Sequence, residues 1–344
     1  MLRGQGSGFE GDFIFMPRVS DVVPLFPNLP CRGAVHETRL SLALGGVNNT
    51  AMTPVLVASK AASPAQLSPP VSIPAFYPMN DQVEQSVISM GSRIVCRGLD
   101  QFESFEQEKV RQALLEAEGA FEATATMLRS YPEESKSVLS DFFGEYFFLG
   151  EQRLIDDWER TRKLLVFYQT EPAREKIIKC IPEDDLACAF VMRSDKQGRI
   201  FLNPRDMGSS DFPVTLAHEL SHLRDVAGAP VKGSETADFW GFYRQAGSDD
   251  LLFPSLEWRR AYSRQIVGGR APVEHFMACI DDPKLFIQAV RTASCKPDIT
   301  TLEQAITQFN EDPYLRMEMA LKNAESQTQA VFVLSDKLAR LTRT

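Results

Sequence analysis

The sequence predicts an α+β fold that is predominantly helical. Apolar residues recur at three- and four-residue steps over residues 110–128, which is the spacing of one buried helix face. Two more helices are predicted, one over residues 154–168 and one opening at Pro132, where the missing amide costs nothing in a first turn. The pattern then changes to two short strand-like runs, so a small β-hairpin is expected after the helical region.

The hairpin and the C-terminal third complete the predicted order of elements. Residues 186–193 and 199–202 are apolar runs on either side of a Ser-Asp-Lys-Gln-Gly turn. We interpret residues 199–202 as the edge strand, along which an extended substrate peptide would lie. A helix is predicted to begin near Val214, and a long one is predicted from about residue 314 to residue 341.

Composition and charge exclude several classes of protein. The chain has 344 residues, of which 44% are hydrophobic, enough to bury a sizeable core. Its 37 Lys and Arg residues and 46 Asp and Glu residues give a formal charge of −9. Nucleic-acid binding and polybasic membrane contacts need clustered positive charge, so neither is expected. Because the sequence has no run of 18 apolar residues, no transmembrane helix is predicted.

Residues 1–80 differ in composition from the rest of the chain. They contain ten of the 21 prolines but only nine charged residues. We interpret them as a mostly extended leader, either a pro-segment or export region or a tail with no role in chemistry. The N-terminus lacks the apolar stretch of a Sec signal peptide, which predicts a cytoplasmic protein or export by another secretion system. Residues 81–344 are then the folded domain, with a helical part, 81–180, and a catalytic part, 181–344.

The helix that begins near Val214 contains the most specific motif of the chain, His218-Glu-Leu-Ser-His222. Residues four apart lie one turn above each other on a helix, so the two imidazoles can bind one tetrahedral Zn²⁺. Glu219, one position further round, can act as general base towards a metal-activated water without being a ligand. Leu216, Leu220 and Leu223 form an apolar stripe on the opposite face, so the ligands and the core do not compete.

A hydrolytic zinc site needs a third protein ligand. The segment after the motif offers two carboxylates within reach of His222, Glu235 and Asp238, and their spacing alone does not decide between them. Asp225 is nearer in sequence, but we expect it to form a helix end or a hydrogen bond to a ligand.

The order of several short motifs resembles that of the aspzincins, the deuterolysin and peptidyl-Lys metalloendopeptidase family of zinc metallopeptidases. His-Glu-x-x-His is the specific element, and the other motifs contribute through their order over residues 100–335. The matching motifs are Phe142-Phe143-Gly144, Cys180 with Cys188, Ala189-Phe190-Val191, Ile200-Phe201-Leu202, His218 to His222, Thr236-Ala-Asp238-Phe-Trp-Gly241 and Asn323-Ala-Glu-Ser326.

This resemblance implies a fold and a ligand set. The fold is a zincin-like metallopeptidase core with a short β-hairpin and a preceding helical region. The family pattern makes His218, His222 and Asp238 the zinc ligands and Glu219 the general base.

The chain departs from the family pattern after the third ligand. The motif is one residue short there, so the family's oxyanion-stabilising tyrosine is replaced by Trp240 or supplied by Tyr243. His275 is a further candidate for this role, because an imidazole near the metal would also donate a hydrogen bond.

The combined expectation is a zinc-dependent endopeptidase acting on protein or peptide substrates, in the setting of an exported effector or toxin or of an intracellular protease. An alternative is a catalytically inactive zincin-fold protein that binds a partner through the helices of residues 81–180. A zinc hydrolase acting on a small molecule or on the amide of a cell-wall peptide is a third interpretation. Intact His218, Glu219 and His222 favour the enzyme.

Overall fold

A computed structural model describes residues 82–182, 188–242 and 255–343, which belong to one compact unit. Within these residues, four strands form a mixed sheet in the order β1-β2-β4-β3. Strand β2 pairs antiparallel with β1 and parallel with β4, and β3 pairs antiparallel with β4. The strands are β1 (Arg93–Arg97), β2 (Ile177–Ile181), β3 (Ala189–Val191) and β4 (Ile200–Leu202). The predicted leader, residues 1–80, lies outside the described residues.

Helices make up most of the described chain, as the α+β prediction requires. In chain order they are α1 (Gln82–Ser89), α2 (Ser104–Ser130), α3 (Pro132–Phe143), α4 (Glu151–Tyr168), α5 (Glu171–Arg174), α6 (Phe212–His222), α7 (Leu256–Val267), α8 (Val273–Ala278), α9 (Pro283–Ser294), α10 (Leu302–Glu311), α11 (Pro313–Lys322) and α12 (Ala324–Leu341). Helices α2, α3 and α4 confirm the three predicted N-terminal helices, and Pro132 occupies the first turn of α3. None of the described helices is long and apolar enough to cross a membrane.

The sheet corrects two of the sequence-based predictions. The region 81–180 is not purely helical, because it contributes β1 and most of β2, so a division at residue 180 cuts through the sheet. Strand β4 is not the edge strand, since β2 and β3 flank it and all three of its residues are buried. The edge beside it is β3, which packs against α6.

The prediction of one long C-terminal helix is wrong, because this region forms two helices, α11 and α12. Helix α11 ends at Lys322, and Asn323 has extended backbone angles, φ −81° and ψ 118°, before α12 begins. Helix α12 packs against both α2 and α6, and α6 also contacts α2, α4 and β3. Helix α6 is therefore held on several sides, which fixes the direction in which its two histidines point.

Candidate metal centre

Helix α6 presents the two histidines on one face. Pro213 lies in its first turn, and Leu216 and Leu220 are buried on the face opposite the histidines. His222 is itself buried, and His218 is half-buried. The rings of His218 and His222 lie 4.8 Å apart between centroids, at an interplanar angle of 85°. The helix ends at His222, so both rings lie in its last two turns. Leu223, the third residue of the predicted stripe, is buried just beyond the helix end.

The segment after α6 folds back along the end of this helix and brings Asp238 to the histidines. Backbone hydrogen bonds run from Gly233 N to Arg224 O at 2.7 Å and from Thr236 N to Ser221 O at 3.0 Å. The approach is so close that a Cβ atom on Gly233 would lie 2.0 Å from the carbonyl oxygen of Leu223. Glycine is therefore required at this position for the chain to return to the site.

The three predicted ligands lie together. Asp238 Oδ1 is 3.0 Å from Nε2 of His218 and 3.1 Å from Nε2 of His222. The three potential ligand atoms all lie within 4.8 Å of one another. A tetrahedral site with metal–ligand bonds of about 2.0–2.1 Å separates its ligand atoms by roughly 3.3 Å, so both histidine–aspartate distances fit. The donor set of two imidazoles and a carboxylate also suits a divalent transition metal.

The other two acidic residues considered from the sequence face elsewhere. Glu235 Oε1 lies 3.3 Å from Nη1 of Arg224, and both of these side chains are exposed. Asp225 is also exposed and forms ion pairs with Arg224 and Lys232. Of the two carboxylates that the sequence left open, Asp238 therefore lies with the histidines and Glu235 does not. Asp225 lies beyond the end of α6 at His222, among surface charges.

Each histidine has a partner for its second ring nitrogen. His218 Nδ1 lies 3.3 Å from Oε2 of Glu325, and His222 Nδ1 lies 3.2 Å from the carbonyl oxygen of Thr236. Ligating histidines commonly donate the second N–H to a carboxylate or carbonyl, which fixes the tautomer and leaves Nε2 for the metal. Glu325, on α12, was not among the residues predicted for the site.

Asn323, at the break between α11 and α12, fixes the loop around Asp238. Its Oδ1 accepts hydrogen bonds from the backbone amides of Phe239 and Trp240, and its Nδ2 donates to the carbonyl oxygen of Trp240. On the other side of Asp238, Ala237 exchanges backbone hydrogen bonds with Lys322 and Ala324. Asn323 and its two neighbours, Lys322 and Ala324, thus bind the backbone on both sides of Asp238.

Negative charge accumulates around His218. Burial lowers the pKa of this imidazole, but the carboxylates of Asp238, Glu325 and Glu219 outweigh burial and raise the pKa well above its ordinary value. A proton on the imidazole would neutralise part of this charge. A bound metal ion would neutralise it in the same way, because it is a cation at the same position.

Glu219 is half-buried on α6, the helix that packs against β3. Burial raises the pKa of the Cys188 thiol to about 12, and the charges of Asp206 and Glu219 contribute to this rise. Cys188 directly precedes β3. Cys180 and Cys188, which the sequence allowed as a pair, are both free thiols.

The three candidate oxyanion donors have different positions. Tyr243 lies outside the described residues. Trp240 is fully buried, and its ring packs edge-on against Phe276 and Phe309, which makes it a core residue. His275 lies on α8, where its ring packs against Tyr262 with centroids 4.6 Å apart and contacts Trp258 at 6.4 Å.

The centre thus consists of two histidines and one aspartate that could hold a metal ion. Both imidazoles are oriented by a partner at Nδ1, and Glu219 follows His218 on the same helix. Comparison of the chain with protein-family models, curated proteins and solved structures found no match in any of the three.

Proposed function

We propose that the protein is a zinc-dependent endopeptidase. The observation that carries the proposal is the group of His218, His222 and Asp238, whose potential ligand atoms lie within 4.8 Å of one another, with Glu219 adjacent to His218 on the same helix. Hydrolytic zinc sites of this kind use three protein ligands and leave the remaining position for the reaction. The motif order that resembles the aspzincins supports the same assignment, including a zincin-like core.

In this proposal each residue has a defined role. A zinc ion bound there would supply Lewis-acid activation of water and of the scissile carbonyl group. Glu219 accepts a proton from the attacking water and transfers it to the leaving amine. Glu325 and Thr236 accept the Nδ1 protons of His218 and His222, and so hold both rings with Nε2 directed towards the cluster.

The substrate in this proposal is an extended peptide lying along β3. This strand is an edge of the described sheet and packs against α6, the helix that bears Glu219. A peptide added to a sheet edge forms backbone hydrogen bonds that do not depend on its sequence. The proposal therefore assigns to β3 the role that the sequence alone suggested for residues 199–202.

The proposal is tested by measuring bound zinc and peptide cleavage on the same preparations. We expect the wild-type chain to bind one zinc ion and to cleave members of a proteome-derived peptide library. Glu219→Gln keeps the shape of the side chain but removes its basicity, so this variant should retain zinc and lose roughly 10²–10⁴-fold in turnover. Asp238→Asn weakens the third ligand and should reduce both zinc content and cleavage.

Two outcomes would contradict the proposal. A wild-type protein that binds no zinc at stoichiometric concentration would remove its basis. Zinc binding by a protein that cleaves no library peptide would instead favour the alternative of a non-catalytic protein that binds a partner.

A further inference from the structure

A chain of hydrogen bonds leads from His218 away from the cluster to a buried arginine. Glu325 contacts His218 Nδ1 through Oε2 and accepts a hydrogen bond from Gln329 Nε2 through Oε1, at 3.1 Å. Gln329 Oε1 in turn accepts a hydrogen bond from Nη1 of Arg259, at 3.2 Å. Arg259, on α7, and Gln329, on α12, are only 4% and 1% exposed. No part of the proposed mechanism uses either residue.

The chemistry of these groups fixes the direction of every hydrogen bond in the chain. A guanidinium group can only donate, so the oxygen of the Gln329 side chain must face Arg259. The amide nitrogen of Gln329 then faces Glu325, whose carboxylate can only accept when it is ionised. Only this orientation of the amide satisfies both neighbours, so Arg259 and Glu325 fix it together. Arg259 therefore helps to hold the amide that binds Glu325, although it does not contact Glu325 itself.

Arg259 also contacts the start of the helix that bears both histidines. Its Nη2 donates to Oδ2 of Asp211 at 2.7 Å. Asp211 directly precedes α6, and its backbone oxygen accepts hydrogen bonds from the amide and the hydroxyl of Thr215. The buried guanidinium group of Arg259 thus contacts Asp211 at the start of α6 and Gln329 on α12. Gln329 in turn binds Glu325, the partner of the His218 ring.

We propose that Arg259 is a positioning residue of the metal centre, which sets the orientation of His218 through Gln329 and Glu325. The inference rests on the proposed metal site and adds to it a residue outside the ligand set and its direct partners. The role requires the planar, forked arrangement of guanidinium donors. Lysine keeps the positive charge but lacks this geometry, so it should not replace arginine here.

The test compares zinc affinity between Arg259→Lys and a matched control on the same helix, Arg260→Lys. Arg260 binds Asp141 on α3 through Nε at 2.6 Å and is not part of the chain that reaches His218. Zinc affinity is measured by competition with a chromophoric chelator, and the visible spectrum of the Co²⁺ form reports the geometry of the site. Loss of an outer hydrogen-bonding partner commonly costs 10–100-fold in metal affinity. For Arg259→Lys we expect a loss of roughly tenfold and a changed Co²⁺ spectrum, with Arg260→Lys close to wild type.

A double-mutant cycle separates positioning from a general structural effect. If Arg259 acts through Glu325, then Arg259→Lys should cost much less zinc affinity in a Glu325→Gln background than in the wild type. Gln329→Met removes the connecting hydrogen bonds while Arg259 remains, and it should weaken zinc binding to a similar extent. This variant also carries the test if Arg259→Lys does not fold.

The outcomes distinguish this inference from the proposed function. Wild-type zinc binding together with unchanged affinity in Arg259→Lys or Gln329→Met overturns the positioning role and leaves the metal site intact. Additive losses in the cycle also overturn it, because they assign to Arg259 an effect independent of Glu325. A wild-type protein that takes up no zinc overturns the proposed function, and this inference with it.

Discussion

Two clusters of charged side chains in this protein differ in the groups that contact their carboxylates. In the first, Arg199 binds both oxygens of Asp195, at 2.8 and 3.0 Å, and also lies 3.5 Å from Glu84. Arg97 binds Glu84 in addition. In the second group, Asp238 and Glu325 contact the ring nitrogens of His218 and His222. The first group brings permanent cations to its carboxylates, whereas the second brings imidazoles, which are ordinarily neutral near pH 7.

This difference predicts different roles for the two groups. The negative charge of a buried carboxylate that contacts a guanidinium group is already compensated, so this group needs no further cation in the folded chain. Buried carboxylates that meet imidazoles remain undercompensated until a proton or a metal ion arrives. The carboxylates around His218 raise its pKa well above the ordinary value, which reflects this uncompensated negative charge. The contrast predicts that the first cluster affects stability alone, and that the second affects metal binding.

The largest effect is expected from breaking the first cluster. Arg199→Met leaves Asp195 and Glu84 buried with one cation fewer, and removing one partner of a buried pair commonly costs about 3–5 kcal/mol. Urea unfolding should show the same loss in chelator and in excess zinc. Arg340→Met is the control, because the side chains of Arg340 and of both its acidic partners, Asp336 and Glu257, are exposed. A loss that depends on zinc would contradict the proposed division between the clusters.

The second prediction concerns addition and removal of metal. Zinc at a hundredfold excess over its dissociation constant should raise the free energy of unfolding of the wild type by about 2.7 kcal/mol. Asp238→Asn at the same zinc concentration should lose most of this increment, whereas Arg199→Met should retain it. The measurement is urea unfolding with and without zinc for each variant. An equal increment in Asp238→Asn would show that zinc binds elsewhere.

The parts of the site that could be predicted from sequence are those formed by residues close together in the chain. The pairing of His218 with His222 follows from the rise of a single helix and could be predicted directly. The choice between Glu235 and Asp238 could not, because it depends on how closely the chain returns along α6 at Gly233. Glu325 lies more than a hundred residues away, and its role depends on how α12 packs against α6.

The fold shows the same division between local and long-range information. Helix periodicity in α2, α3 and α4 was sufficient to predict those helices. Strands β1 and β2 were missed, and β4 was predicted as an edge strand, because lateral strand order arises from pairings between distant segments. The break at Asn323 was also missed. Its extended backbone is stabilised by hydrogen bonds to residues 239 and 240, which no local pattern reveals.

A smaller effect is expected at the close contact between Gly233 and Leu223, where the chain turns back towards the histidines. Gly233→Ala would place a Cβ 2.0 Å from the carbonyl oxygen of Leu223, so the returning backbone must shift. Overpacking of this kind commonly costs about 1–3 kcal/mol, and the shift should also weaken zinc binding because Asp238 follows in the same segment. Gly208→Ala is the control, since a Cβ there meets no atom within 4 Å. Wild-type zinc affinity in Gly233→Ala would contradict the role given to this contact.

The pH dependence of stability should have opposite signs with and without metal. In chelator, the raised pKa of His218 stabilises the fold fully below the unfolded value of about 6.5, and this stabilisation is lost as pH rises through the folded pKa. The slope from this one proton cannot exceed about 1.4 kcal/mol per pH unit. With zinc, the imidazole must be deprotonated to bind, so rising pH strengthens the complex instead. Unfolding curves from pH 6 to pH 9 would measure both trends, and equal trends in chelator and zinc would count against metal binding at His218.

The smallest effect is expected for the acidic residue that the structure places outside the cluster. Glu235 and Arg224 form an ion pair at 3.3 Å with exposed side chains, and such pairs contribute about 0–1 kcal/mol. Glu235→Ala should therefore change urea unfolding by no more than this amount and should leave zinc content and cleavage at wild-type levels. Asp238→Ala, a truncation of the same kind three residues later, should lose zinc. The reverse result, with zinc lost in Glu235→Ala and kept in Asp238→Ala, would make Glu235 the third ligand, because only a group that binds the metal directly explains such a loss from an exposed position.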